Sequence, residues 1–416
     1  MKLYTKTFGC RVNQYETEGI KEKLLADGVS VAVRDFETAD LCVVNTCTVT
    51  GEADKDALLL LRRISRRNPA ARLVVTGCLA TRHPESVRAA APAATIVSNE
   101  NKDDIPAMLG CQSAPEYAGI RGYADRSRAF VKVQDGCNMH CTYCIIPSVR
   151  PTMTTKPIAD LEREIRVLVE GGYGEIVLCG VRLGRYLTQD ASGRRVDFCA
   201  MLERLLGIEG DFRIRLSSFE ITDITERFLD LFEKSEGKVA PSFHLPLQSG
   251  SQAVLQRMKR WYSTRFYAHR IAALRARGID VGLFTDIMVG FPGESEDEAL
   301  ESESFVREIG FDGLHIFRYS DRDGTPAARG SGHLPAETLR ARADRMRAID
   351  LEFCAAFANR HLGKRRRVLV EARGSRVEGT TEHFLRVVLD RNPQKILSWA
   401  QLIKIEGGSV LASATK

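Results

Sequence analysis

Cys137-Asn138-Met139-His140-Cys141-Thr142-Tyr143-Cys144 puts three thiols on one short loop with the spacing C-x3-C-x2-C. Three thiolates so placed can hold three irons of a [4Fe–4S] cube. No fourth cysteine is near, so one iron keeps an open coordination position. An open position marks chemistry rather than scaffolding, by the logic that separates catalytic from structural zinc. A zinc site of the same cysteines with His140 is the structural alternative.

A second set is dispersed. Cys10, Cys47 and Cys78 each end a β-rich run: Lys6-Thr7-Phe8-Gly9-Cys10, Val43-Val44-Asn45-Thr46-Cys47 and Val74-Val75-Thr76-Gly77-Cys78. Equivalent strand ends of a parallel sheet gather on one edge, where ligands bind. The three are therefore expected to meet and ligate a second cluster, again with an open iron. Cys42, Cys111, Cys179, Cys199 and Cys354 lack such placement and are read as core or incidental. Eleven cysteines without an export signal argue against a disulfide framework and for metal or redox roles.

The elements that must position these groups follow from strand–helix alternation. Residues 1–112 alternate β runs (3–8, 29–33, 41–45, 72–76, 94–98) with helical stretches, predicting a parallel α/β sheet. Residues 113–127 read as a polar linker. From 128 to 362, six strands (129–133, 175–178, 213–216, 242–245, 281–288, 313–318) alternate with helices, and a long helix at 335–361 closes the unit. Six βα units predict a partial (β/α)6 barrel with its site at the C-terminal strand ends. Residues 363–416 read as a small all-β module with runs at 367–371, 384–389 and 402–405.

Composition excludes several classes. The 416 residues are 44% hydrophobic and 27% charged, as in folded globular chains of more than one domain. The longest aliphatic run, Ala57–Leu61, is far below the ~20 residues of a membrane span. Met1–Lys6 has no apolar signal core, which predicts a cytoplasmic protein. Residues 364–416 carry eleven basic and five acidic side chains, matching the surplus of the whole chain, +6. A basic module of this kind points to a polyanion, and Lys364-Arg365-Arg366-Arg367 is its densest patch.

The C-x3-C-x2-C loop after the first barrel strand resembles the radical S-adenosylmethionine (SAM) superfamily. Glu175-Ile176-Val177-Leu178-Cys179-Gly180 and Gly290-Phe291-Pro292-Gly293-Glu294 resemble its second-strand and adenine-side motifs. Further segments resemble the methylthiotransferases: Phe8-Gly9-Cys10-Arg11-Val12-Asn13-Gln14-Tyr15-Glu16-Thr17-Glu18, Arg215-Leu216-Ser217-Ser218, His244-Leu245-Pro246-Leu247-Gln248-Ser249-Gly250-Ser251 and Tyr319-Ser320-Asp321-Arg322-Asp323-Gly324-Thr325-Pro326-Ala327. The segment from Gly9 to Glu18 is most similar to the branch acting on threonylcarbamoyladenosine in tRNA. The basic tail resembles the OB-like TRAM module, which binds RNA in this family.

The resemblance implies two [4Fe–4S] clusters, held by Cys137, Cys141 and Cys144 and by Cys10, Cys47 and Cys78. It implies SAM as methyl donor and as radical source, with Tyr143, Gly180, Ser217, Gln248, Asp286 and Gly290 lining its site. Substrate contacts fall to Arg11, Asn13, Arg150 and Lys364–Arg367. A tRNA anticodon stem-loop, a low-potential electron donor such as flavodoxin or ferredoxin, and a sulfur donor are the implied partners. No catalytic side chain beyond the cluster ligands is required. Within the family the alternatives are isopentenyladenosine tRNA and a ribosomal-protein aspartate; outside it, a non-catalytic, metal-stabilised RNA-binding protein. Ser148–Lys156 departs from the Gly-Arg segment usual after the third loop cysteine, which bears on the substrate assignment.

Overall fold

The structure is a computed structural model and describes residues 1–26, 31–111, 119–123, 127–373 and 376–415. The first two residues of the expected strand 29–33, and linker residues 113–118 and 124–126, lie outside the described residues.

The first domain is a parallel sheet of β1 (Lys2–Thr7), β2 (Val31–Ala32), β3 (Leu41–Thr46), β4 (Arg72–Gly77) and β5 (Thr95–Ile96). Its order is β2-β1-β3-β4-β5. Every residue of β3 is buried, as expected of a strand covered by helices on both faces. Helix α1 (Arg11–Ala26) follows β1, and α2 (Gly51–Arg67) follows β3. The Thr50 hydroxyl caps α2 by accepting from the Ala53 amide; Glu52 and Asp54 in its first turn and Arg66 and Arg67 in its last complement the helix dipole.

The central unit has six parallel barrel strands: β6 (Arg128–Asp135), β7 (Glu175–Gly180), β8 (Arg213–Leu216), β9 (Ser242–His244), β10 (Gly282–Val289) and β11 (Gly313–Arg318). They form the ladders β8-β7-β6 and β9-β10-β11. Parallel bridges Ile214–Val239 and Ser218–His244 join the two. The barrel is open between β6 and β11, where no pairing is recorded among the described residues. Val12 and Tyr15 of α1 share the hydrophobic core of this barrel, so the first domain is packed against it. The closing helix runs Ala336–His361, with Pro335 as its N-cap.

The tail is a closed barrel of β12 (Arg365–Arg373), β13 (Arg376–Thr381), β14 (Arg386–Leu389), β15 (Leu397–Glu406) and β16 (Ser409–Ala414). β13 and β16 have no counterpart among the expected runs. In Arg-Val-Glu-Gly-Thr-Thr the strand formers are interrupted by Glu and Gly, Ser-Val-Leu-Ala-Ser-Ala has few of them, and pairing with β12, β14 and β15 overrides local preference.

This module plugs the N-terminal end of the central barrel. Arg213 donates to the carbonyls of Arg367 (2.7 Å) and Thr380 (2.9 Å), and Arg215 to those of Thr381 (3.1 Å) and Glu382 (3.2 Å). The cysteine loop lies at the opposite, C-terminal end, just beyond β6. Among the described residues no helix is long and apolar enough to cross a membrane.

Candidate active site

In the order β2-β1-β3-β4-β5 the direction of winding reverses between β1 and β3, and ligands bind outside the strand ends at such a point. Cys10 and Cys47 sit on either side of it, and Cys78 follows β4. Two glycines permit the close approach. Gly9 has φ +88°, and a Cβ there would stand 2.5 Å from the Cys47 sulfur. Gly77 has φ +98°, and a Cβ there would stand 2.2 Å from the Thr46 carbonyl. Only glycine fits either position.

Cys137, Cys141 and Cys144 share one loop whose backbone is fixed from three sides. The Cys137 amide donates to the Arg150 carbonyl (3.3 Å), the Thr142 amide to that of Met258 (3.1 Å), and the Ala327 amide to that of Thr142 (2.9 Å). The Tyr-Ser-Asp-Arg-Asp-Gly-Thr-Pro-Ala segment therefore buttresses the cysteine loop.

The donor set fits iron–sulfur clusters. Four of the six sulfurs accept hydrogen bonds: Cys47 from the Val49 amide (3.5 Å), Cys78 from Asn99 Nδ2 (3.6 Å), Cys137 from the Met139 amide (3.4 Å) and Cys141 from Arg260 Nη1 (3.5 Å). Such donors favour thiolates and tune cluster potential. Burial pushes the Cys47 and Cys144 thiols up to about 12, so each needs a cationic centre to stay ionised. Neither triad draws its sulfurs within 4.8 Å of one another, nor does the loop triad with His140. Zn–S bonds of ~2.3 Å require closer sulfurs, so the spacing disfavours the zinc alternative.

Hydrogen bonds tie the strand-end triad to the segment that follows the cysteine loop. Asn99 Nδ2 donates to Cys78 Sγ and also to the Val149 carbonyl (2.9 Å), just past the cysteine loop. Arg322 Nη1 reaches Asp54 of α2 (2.7 Å).

Arg150 and Asn13, expected at the substrate, are engaged within the protein. Arg150 is 6% exposed and donates to Asn13 Oδ1 (2.8 Å), Glu16 (2.9 Å) and Asp135 (2.6 Å). Asn13 donates to the carbonyls of Phe8 (3.0 Å) and Thr46 (3.1 Å), tying the ends of β1 and β3 together. Glu16 also meets Lys102 (2.5 Å) and Lys132 (2.9 Å). Burial alone pushes Glu16 up, but Lys102, Lys132 and Arg150 override it and hold the carboxyl well below the usual range. Arg11 is placed differently. It makes no hydrogen bond or ion pair to a described residue, and its guanidinium lies 6.0 Å from the Phe130 ring of β6.

The expected SAM residues ring the barrel mouth. Gly180 ends β7, and Ser217 follows β8 with its buried Oγ unpartnered. Tyr143 packs against a cluster containing Phe291 and Tyr319. The Gly290 amide donates to Glu294 (2.6 Å), itself paired with Arg342 of the closing helix (2.6 Å). Gln248 is held at φ +72°, its amide donating to the Asp286 carbonyl (2.8 Å) and its carbonyl accepting from Met288 (2.9 Å).

Asp286 belongs to a group not anticipated from the sequence. His244 Nε2 lies 2.9 Å from Asp286 Oδ1, Ser218 Oγ 2.8 Å from His244 Nδ1, and His315 Nδ1 3.4 Å from Asp286. Burial raises Asp286, but the hydrogen bonds from both histidines hold it at about 2. His244, Asp286 and His315 come from β9, β10 and β11 and Ser218 from just past β8, too far apart in sequence for spacing to reveal them.

The basic patch at 364–367 divides. Lys364 and Arg366 meet Asp280 (3.4 and 2.6 Å), and Arg367 meets Asp211, all on the central barrel. Arg365 stays exposed and stacks over the exposed Trp399 (5.2 Å).

Residues 131–306 match the radical SAM superfamily, and residues 2–99 match uncharacterized protein family UPF0004. The chain is 34% identical to the threonylcarbamoyladenosine tRNA methylthiotransferase MtaB of Bacillus subtilis, over 92% of this chain and 89% of the relative. It is 34% identical to that of Thermotoga maritima, over 88% and 86%. A tRNA-2-methylthio-N(6)-dimethylallyladenosine synthase of Methylococcus capsulatus is 30% identical, over 97% and 93%. Among solved structures, the radical SAM methyltransferase TsrM from Kitasatospora setae shares the fold, with TM-score 0.57 and 11% identity over 79% of this chain and 75% of that one.

Proposed function

This chain belongs to the methylthiotransferase family of the radical SAM superfamily, and from that membership we propose that it converts threonylcarbamoyladenosine next to the tRNA anticodon to its 2-methylthio derivative. The observation that carries this reading is the hydrogen bonding that joins the segments bearing the two cysteine triads, through Asn99 to Cys78 and Val149 and through Arg150 to Asn13. Bound there, the [4Fe–4S] clusters and SAM supply the electron, the carbon-centred radical, the sulfur and the methyl group.

Cys137, Cys141 and Cys144 hold the cluster that meets SAM, and Cys10, Cys47 and Cys78 hold the second. Tyr143, Gly180, Ser217, Gln248, Asp286 and Gly290 bind and orient SAM. Arg150, Glu16 and Asn13 fix one cysteine loop against the other, which positions the reacting groups and keeps water from the cleft. Asp286 of β10, hydrogen-bonded by His244 and His315, stays ionised. The closed C-terminal barrel holds the RNA backbone through its exposed cations. A low-potential flavodoxin or ferredoxin provides electrons, a separate donor replenishes sulfur, and the reaction proceeds in the cytoplasm with tRNA.

The test is nucleoside mass spectrometry of tRNA from cells lacking this protein. The 2-methylthio form of threonylcarbamoyladenosine is expected to vanish while its precursor accumulates. Loss of 2-methylthio-isopentenyladenosine, or of the methylthio group on the ribosomal protein, places the chain in another branch.

A further inference from the structure

We infer that the lumen of the central barrel is the receptor for an anionic group on the substrate base, with Arg11 as the specificity-determining residue. This rests on the proposed tRNA substrate and deepens it. The ligand chemistry is a carboxylate, as carried by the threonyl appendage of the modified adenosine.

Successive residues of a strand face opposite sides, so those two apart share the lumen face. Arg128 of β6, Glu175 of β7 and Arg213 and Arg215 of β8 meet there. Glu175 serves all three guanidiniums, at 3.4, 2.7 and 2.9 Å. One carboxylate is thus shared among three cations, and Arg128 finds one further carboxylate in Glu371 (3.2 Å). Arg215 is 2% exposed, yet its Nε has no acceptor.

Arg11 brings a fourth guanidinium to this chamber from the other domain. It is half-buried, its guanidinium lies 6.0 Å from the Phe130 ring, and Phe130 and Arg215 both stand opposite Val177 in the sheet register. Among the described residues nothing pairs with it, whereas Arg150, Lys102 and Lys132 at the same junction each have a carboxylate. A partly desolvated guanidinium without an anion is costly, and a planar fork is matched by a carboxylate. Arg11 directly follows Cys10, so of the four guanidiniums it is the one beside a cysteine triad, while Arg128, Arg213 and Arg215 close the far, N-terminal end of the lumen against the tail barrel.

Binding and turnover are measured with the reconstituted holoenzyme and three anticodon stem-loops, bearing threonylcarbamoyladenosine, its methyl ester, or plain adenosine. Wild-type protein is expected to bind the acid about tenfold or more tighter than the ester. In Arg11→Gln that ratio falls toward one, and Arg11→Lys restores part of it. Iron content at the wild-type level in both variants shows that the cluster beside Arg11 is intact. Equal affinity of wild type for acid and ester overturns the inference, as does an undiminished ratio in Arg11→Gln. A uniform loss on all three stem-loops with a flatter salt dependence also overturns it, because Arg11 then contacts phosphate. Methylthiolation of none of the three refutes the proposed substrate itself, a different failure from turnover with no acid preference.

Discussion

Arg150 Nη2 stands 2.9 Å from Glu16 Oε2 while the Arg150 carbonyl accepts from the Cys137 amide. One residue therefore connects the cysteine loop of the central barrel to the helix that follows Cys10. Both side chains are almost fully buried, at 4% and 2% exposure. Removing Arg150 leaves Glu16 its contacts with Lys102 and Lys132, so what is lost is the buried charge-assisted hydrogen bonding, at about 1.5–3 kcal/mol.

Arg150→Ala is accordingly expected to loosen the docking of the two domains. Hydrogen exchange should rise in α1 and in residues 137–150 together, and stability in urea should fall by about 1.5–3 kcal/mol. Unchanged exchange in both segments contradicts a joining role.

The two triads should load iron independently. Changing Cys137, Cys141 and Cys144 to Ala is expected to halve the iron and abolish SAM cleavage. Changing Cys10, Cys47 and Cys78 to Ala should halve the iron but spare some cleavage. Full iron in either triple variant is inconsistent with the ligand assignment.

Much of this arrangement was legible in the sequence because strand ends carry it. Six barrel strands, the parallel first sheet, the strand-end positions of Cys10, Cys47 and Cys78 and the loop of Cys137, Cys141 and Cys144 follow from local patterns. What the sequence could not disclose is pairing across long separations. Arg150 lies beside a cysteine loop, which suggested a substrate contact; three acceptors from α1 and β6, visible only in three dimensions, engage it instead. His244 and His315 have ordinary local contexts and meet only because β9, β10 and β11 are neighbours. The charge of residues 364–367 was legible, but not its division between barrel contacts and solvent.

That division refines the RNA prediction. Arg365→Ala and Arg386→Ala alter exposed cations of the tail barrel and should each flatten the salt dependence of tRNA binding. The expected change is ~0.7–0.9 in log–log slope per lost phosphate contact. Deleting the chain from Lys364 onward is a harsher change, since it strips Arg213 and Arg215 of their carbonyl acceptors, and the central barrel should lose stability. An unaltered slope in both point variants removes the tail barrel from RNA binding.

Acid should weaken the seam between the tail and the central barrel. His361 is buried, accepts from Arg366 Nε (3.0 Å) and stacks near His383 (4.7 Å), with Asp280, Arg360 and Lys364 around it. Burial, then Arg366, presses His361 down to about 4. A histidine whose folded value lies below its unfolded ~6.5 contributes stability that is present above ~6.5 and lost as pH falls toward about 4. Stability is expected to drop by roughly 2 kcal/mol between about pH 7 and 5 from this group. Thermal unfolding that is flat across this window contradicts a neutral His361.

The central claim is that two cysteine triads facing one cleft install sulfur and methyl on threonylcarbamoyladenosine in tRNA. Its most direct test incubates the anaerobic, reconstituted protein with SAM, a reductant, sulfide and an anticodon stem-loop carrying that nucleoside, and weighs the nucleosides released. The account predicts that one methylthio group replaces one hydrogen on the adenine and that 5′-deoxyadenosine forms alongside. A stem-loop returned unchanged, with isopentenyladenosine methylthiolated instead under the same conditions, contradicts it.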